Sequence, residues 1–415
     1  MSGVRREVVD VAIVGGGPAG LAAALELRRL GVGRVLVVER EREAGGVPRH
    51  TDHTGFGVRD LHRVLRGPAY AARYRRAAAA AGVAVRTSAT ATDWTDPRTL
   101  AVTAPDGLAE VTAGAVILAA GCRERPRSAR LVAGDRPLGV LTTGALQQLV
   151  YLQHAPVGGR AVVVGAEHVS FSAVLTLAHA GVETVAMVTR EPRHQSYAAL
   201  AWLAARRRGV PIVTGTEVVE IHGHGRVESV IVRDVATGAR RMLACDTVVF
   251  TGDWIPDHEL ARRGGLVVDP ATRAPRVDGL LRTSVAGVFA AGNLVHAAET
   301  ADVAALSGRH AACAAQAFLA GRPWPAASVP IVAEPPIRWV SPSAIAADAR
   351  VVPHGRFLLR VDRTLDAATI EVRQDGRVLW RRRHRRLVAT RSIHAAADWL
   401  PAVAGDGGPV VSAIG

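Results

Sequence analysis

The chain contains no lysine. All 51 basic residues are arginine, and against 37 acidic residues they leave a formal net charge of +14. Without lysine there is neither a Schiff-base amine nor a phosphate-loop lysine. Cysteine is scarce: Cys122, Cys245 and Cys313 are the three, and none belongs to a CxxC pair. That spacing argues against a disulfide framework, a structural zinc site, a dithiol relay and a four-cysteine iron–sulfur centre. Aromatic residues make up 4%, which leaves little for base stacking, and no nucleic-acid motif is present, so no nucleic-acid partner is expected. The one concentrated basic run, residues 381–386, reads as a solvated face, with a docking surface for an acidic partner as the lesser alternative. No stretch approaches the roughly 18 uninterrupted apolar residues of a membrane span. Residues 8–14 are apolar, but the run is short, leads into a glycine turn and lacks a signal-peptide cleavage region, so the expected location is cytoplasmic.

What the chain does have is length and apolar bulk. At 415 residues and 49% hydrophobic it can form two or three domains. Residues 8–14, VVDVAIV, read as a buried parallel strand. Gly15-Gly16-Gly17-Pro18-Ala19-Gly20 follows, then an Ala/Leu-rich helix over 21–30 and a second strand over 34–38 that ends at Glu39. Each part has a physical role in holding a dinucleotide. Gly15 permits the tight turn, Gly17 lets the backbone approach a pyrophosphate, and Gly20 lets the helix pack on the sheet. The helix start offers free N–H groups and a positive dipole end to phosphates. Glu39, 19 residues after Gly20, stands where a carboxylate accepts hydrogen bonds from ribose hydroxyls. The motif alone leaves FAD and NAD both open.

Two later segments complete a pattern. Residues 116–121, VILAAG, end at Ala120 and Gly121, and residues 283–293, TSVAGVFAAGN, end at Gly292 and Asn293. With these the chain resembles the pyridine nucleotide–disulfide reductase-like superfamily, flavoproteins with two dinucleotide-binding domains, over about 300 residues. The resemblance implies an α/β fold with two Rossmann-like domains, the second inserted in the first, and FAD as cofactor. It places Gly15, Gly17, Pro18, Ala19, Gly20, Glu39, Arg40, Gly46, Ala120, Gly121, Gly292, Asn293 and Thr300 at the flavin. The family usually has Asp where Asn293 stands; Asn hydrogen-bonds but carries no charge. Residues 296–310 are expected to be helical, with the helix start at the flavin pyrimidine edge. Glu299 and Thr300 then lie near the flavin, or cap the helix, or both. Residues 122–148 and 250–259 resemble the FAD-binding subunits of opine-, proline- and glycine-type dehydrogenases.

A second strand–turn–helix unit lies where the family binds NAD(P)H: a strand over 161–164, a helix over 171–180 and a strand through 188. Its glycine pattern is broken. Gly165 remains, Glu167 holds the second position and Ser170 the third. A carboxylate there obstructs the backbone and repels a pyrophosphate; two like charges about 4 Å apart cost roughly 1 kcal/mol in water and more when shielded from it. NAD(P) is therefore possible but disfavoured. Arg190 and Arg193 lie where cations favour the 2′-phosphate of NADP, although an arginine-rich chain places arginines widely.

No residue stands out as catalytic and no metal set is visible. Cys122 reads as a packed thiol, and His168, His194 and His296 as acid–base candidates outweighed by structural roles. The expected organisation is a first FAD segment over 1–130, a crossover near 136–150, a nucleotide-like domain over 155–255, a second FAD segment over 256–325 and a β-containing domain over 326–415. In the last, Asp375-Gly376 reads as a hairpin turn. Three readings of function follow. One is an FAD-dependent dehydrogenase, or part of a dehydrogenase complex, that takes electrons from a small substrate or from a partner redox protein. Another is an NAD(P)H-dependent flavin reductase. The third is a structural or regulatory flavin-binding subunit.

Overall fold

A computed structural model describes residues 4–202, 209–348 and 351–415. The first strand, Arg5–Val14, starts three residues earlier than its apolar run, because the exposed lead-in pairs along Gly107–Leu118. Val11 to Val14 are buried, with Val35–Val38 parallel on one side and Gly107–Leu118 parallel on the other. Ala84–Arg86 extends the sheet beyond Val35–Val38. Thr90–Asp96 and Thr99–Ala104 form antiparallel strands beside Gly107–Leu118. The end of that same strand, Val116 to Leu118, also pairs in parallel with Val288–Ala290. The chain thus leaves this layer after residue 118 and returns at 288, with a second unit inserted between.

The helix after the glycine turn is Pro18–Arg29, three residues earlier than its Leu-rich core suggests, since proline at the first turn has the φ that a helix start needs. It packs against a long helix, Ala301–Leu319, at backbone contact: a Cβ on Gly308 would lie 2.0 Å from the Ala19 carbonyl oxygen.

The inserted unit has five parallel strands in the order Val140–Thr142, Thr247–Phe250, Arg160–Val164, Glu183–Val188, Ile212–Val213. Alternate residues face opposite sides, as a pleated strand requires. Ala161 and Val163 pack with Phe171 and Leu177 under the helices Thr143–Tyr151 and His168–His179. Val162 packs with Val218, Val230 and Val248 beneath a further sheet containing Thr216–His222, Ser229–Asp234 and Arg240–Ala244. The two chain crossings between layers, Cys122–Glu124 and Trp254–Pro256, pair as a short antiparallel ribbon.

Residues beyond 327 form five- and three-stranded sheets around their own core of Phe357, Ile370, Trp399 and Val410. Asp375 and Gly376 have φ of 49° and 77°, the left-handed pair of a tight hairpin turn, and join Leu365–Gln374 to Arg377–Leu387. The arginine run lies on Arg377–Leu387, an edge strand, with His384 half-buried and the arginines from 381 to 386 exposed. Among the described residues no helix is long and apolar enough to cross a membrane.

Candidate functional site

The first glycine turn separates two kinds of constraint. At Gly15, φ is +104° and a Cβ would lie 2.4 Å from the Ala119 carbonyl oxygen; at Gly20 a Cβ would lie 1.9 Å from the Gly15 carbonyl oxygen. The protein itself demands those two glycines. Around Gly17 it leaves room: the nearest atom to a Cβ there is Gly46 Cα at 3.9 Å. Gly17 is also the residue capping the Pro18–Arg29 helix, with no side-chain cap and no acidic residue in the first turn. A backbone open on one side, at an uncapped helix start, fits a diphosphate. The loop at Gly45 and Gly46 closes over the turn, with the Gly45 N–H donating to the Gly16 carbonyl at 2.7 Å.

Glu39 is buried at the end of its strand. One carboxylate oxygen accepts the Gly16 N–H at 2.7 Å and the other the Glu41 N–H at 2.8 Å. An ionised carboxylate has about four acceptor sites, so capacity for ribose hydroxyls remains. A Cβ on Gly46, at φ +60°, would lie 2.9 Å from Gly17 Cα and 3.3 Å from Pro18 Cδ, and a Cβ on Gly292, at φ +68°, would lie 2.6 Å from Ala19 Cβ. Ala120 stands against Gly15. Arg40, exposed, reaches Asp257 at 3.6 Å, and the Asp257 N–H donates to the Gly121 carbonyl at 3.0 Å. A Cβ on Gly121 would meet nothing within 4 Å. These sequence-selected residues are therefore gathered around one turn.

Asn293 and Thr300 flank the segment that leads into the long helix. The Asn293 amide donates to the Glu299 carbonyl at 3.0 Å and accepts the Glu299 N–H at 2.9 Å. Only an amide makes both bonds, which accounts for Asn in place of Asp. Thr300 occupies the cap position of Ala301–Leu319 but its side chain makes no capping bond. The helical stretch begins at Ala301, so His296 to Thr300 form the approach to it. Asp302, buried in the first turn, instead accepts the Arg59 N–H at 3.1 Å.

Glu299 is the end of a buried polar chain that sequence inspection does not show. It pairs with Arg360 at 3.1 Å and accepts from the Ser392 hydroxyl. Burial pushes the Glu299 carboxyl up, while burial pulls the Arg360 guanidinium down. Arg360 also donates to the Ala298 carbonyl at 2.7 Å, tying the C-terminal sheets to the approach of the long helix. His296 is wholly buried, its Nδ1 has no partner among the described residues, and burial pulls its pKa to about 4. His50 carries no periodic signal by which the sequence would single it out. It is 4% exposed just beyond the Gly45–Gly46 loop, its Nδ1 has no partner among the described residues, and burial, then Arg49, lower its pKa to about 4. Burial, then Asp257 and Glu124, push the Cys122 thiol up, away from thiolate chemistry. All three cysteines are free thiols.

The second turn is filled by its own side chains. Glu167 folds back so that one oxygen accepts the Ala166 N–H at 3.0 Å and the other accepts from the Thr251 hydroxyl. The Ser170 hydroxyl donates to Thr251 Oγ1 at 2.7 Å. A Cβ on Gly165 would lie 2.8 Å from both Glu167 Oε2 and Ser170 Oγ. The loop after Glu183–Val188 is occupied too. Arg190 is paired with Glu217 at 3.0 Å, while Arg193 is exposed. His168 bonds Ser196 at 2.7 Å and stacks on Tyr197, whose ring lies 4.7 Å from the Arg391 guanidinium of the C-terminal sheets.

Against known proteins, residues 9–308 match the family described as pyridine nucleotide-disulphide oxidoreductase. The chain is 27% identical over 298 residues to a thioredoxin reductase of Treponema pallidum (strain Nichols), covering 69% of this chain and 88% of that one. It is 31% identical over 297 residues to a ferredoxin--NADP reductase of Salinispora arenicola (strain CNS-205), covering 69% and 86%. It is 29% identical over 340 residues to an opine oxidase subunit of Agrobacterium tumefaciens (strain Ach5), covering 75% of this chain and 66% of that one. The solved thioredoxin reductase of T. acidophilum superposes with a TM-score of 0.63 at 24% identity, over 75% of this chain and 99% of that one, which shows the fold. This chain belongs to the pyridine nucleotide-disulphide oxidoreductase family and is an FAD-dependent oxidoreductase, in a family with a second dinucleotide site for NAD(P).

Proposed function

We propose that this chain is a flavin dehydrogenase, or the FAD-binding subunit of one, that receives electrons from a small substrate or a partner redox subunit without free NAD(P)H. The observation that carries this reading is Glu167, whose carboxylate fills the turn a pyrophosphate would need. The absence of a CxxC pair removes a disulfide relay. The likeness to a protein named as an oxidase subunit supports a partner. Cytoplasmic residence, read from the three unpaired cysteines, belongs to the same proposal.

FAD, when bound, supplies a two-electron acceptor. The chain's own residues would hold and orient it: Gly17 and the N–H groups at Ala19 and Gly20 would receive its diphosphate, and Glu39 would accept from its ribose. The start of Ala301–Leu319 would present its positive dipole end to the flavin ring.

Anaerobic titration of the purified flavoprotein tests this. NADPH and NADH are expected to leave the flavin absorbance unchanged over minutes, while a small amine substrate or the partner subunit bleaches it. Prompt bleaching by NADPH would establish the flavin reductase reading instead.

A further inference from the structure

A cleft of about 670 Å³ opens between the nucleotide-like unit and the C-terminal sheets. It lies outside both glycine turns. One wall is the loop carrying Arg193 and His194; the other is the edge strand and the segment after it, carrying Arg382, His384, Arg386 and Arg391. Glu191 is the one carboxylate among the lining residues. Among the described residues Arg193 and Arg382 have no acidic partner, and Arg391 is bonded to the Gln195 and Ser196 carbonyls. Arg386 is held by Asp366 at 3.4 Å. His194 Nδ1 and His384 Nε2 are buried with no hydrogen-bond partner among the described residues. Buried polar atoms call for partners, and a concave surface of one sign concentrates counter-ions. Guanidiniums set on opposite walls suit a ligand with separated anionic groups, and the volume falls within the range of small-molecule sites.

We propose that this cleft binds a small organic polyanion other than a nucleotide, bearing two or more carboxylate or phosphate groups. The ligand is not a nicotinamide dinucleotide, because its pyrophosphate would need the turn that Glu167 fills. The site is a composite one: Arg391 joins the two walls through its bonds to the 195–196 loop, so neither wall forms the cleft alone.

Equilibrium dialysis of the purified holoprotein at low chloride, with citrate and inorganic pyrophosphate as separate probes, decides the matter. At least one probe is expected to saturate a single site, and the tighter of the two tells carboxylate from phosphate. R193Q and R382Q each weaken binding by about tenfold or more, through loss of a charge-assisted hydrogen bond. Both positions are exposed, so folding and flavin absorbance should be unchanged in either variant. No saturable binding of either probe overturns the proposal, as does binding indifferent to both substitutions. Binding of adenosine 2′,5′-bisphosphate in preference to both probes also overturns it and would reassign the cleft to a nucleotide.

Discussion

The two glycine turns of this chain share a strand, a tight turn and a helix, yet one is open and the other filled. At the first, Gly15 and Gly20 meet backbone atoms while Gly17 faces free space. The neighbouring carboxylate, Glu39, comes from the end of the next strand and is held by the Gly16 and Glu41 amides. At the second, the carboxylate arises from the turn itself, and Glu167, Ser170 and Thr251 satisfy one another. A glycine turn is therefore a fold element first. It becomes a binding element only where a glycine exists that the protein's own packing does not require.

Substitutions within the first turn should give the largest effects and separate those two roles. G20V places a Cβ 1.9 Å from the Gly15 carbonyl oxygen and is expected to abolish folding, read as loss of soluble protein. G17V has room in the protein, with its nearest neighbour at 3.9 Å. It should purify with normal far-ultraviolet circular dichroism but without flavin bands, even after FAD is added. Full flavin occupancy in G17V would break the comparison at its root.

Acid titration gives the next largest effect and contrasts the surroundings of the two turns. His296, near the first, has its pKa pulled from 6.5 to about 4 by burial. A depressed pKa means the unfolded chain binds the extra proton, so the associated stability is present above pH 6.5 and is lost as pH falls toward 4. For one fully buried imidazole that amounts to roughly 3 kcal/mol. H296Q should make acid unfolding between pH 6.5 and 4 shallower by about one proton. His168, at the second turn, is exposed, with its ring against Ser196 and Tyr197, and is lowered less, by desolvation and then by Arg391 and Arg360. H168Q should change the slope far less; equal slopes in the two variants would remove the contrast.

How much of this is legible in the sequence follows from what each residue touches. Gly15, Gly17, Gly20 and Glu39 announce themselves because they all lie within the first forty residues, at spacings that strand and helix geometry impose. The break at Glu167 is legible as a break, since a side chain at that position has a predictable consequence. That its carboxylate bonds Thr251, 84 positions later, is not. Asn293 is found by its place in a motif, but its clasp on the Glu299 backbone needs the local chain path. The Arg391 contact to Gln195 spans 196 positions between separate cores, and no local pattern encodes it.

The second turn offers a smaller and sharper test. E167G removes two hydrogen-bond acceptances and the charge, for about 1–2 kcal/mol of stability. If the carboxylate is the main obstacle, E167G should bind NADPH at least about tenfold more tightly than the parent chain, measured by fluorescence titration with flavin content unchanged. If the affinity does not move, the loop pinned by Arg391, and not Glu167, closes the site, and R391A becomes the informative variant.

The smallest expected effect concerns Arg190, whose position suggested a 2′-phosphate contact. Its guanidinium is 72% exposed and paired with Glu217, which also accepts from Arg233. Exposed pairs contribute about 0–1 kcal/mol, and here a second arginine remains after the first is removed. R190A should therefore shift the denaturation midpoint only marginally and leave any NADPH affinity gained in E167G unaltered. A loss of that gained affinity in the double variant E167G/R190A would show that Arg190 leaves Glu217 for a phosphate when the turn is open. The second turn would then be a dinucleotide site closed by one residue, not a fold element that has lost its ligand.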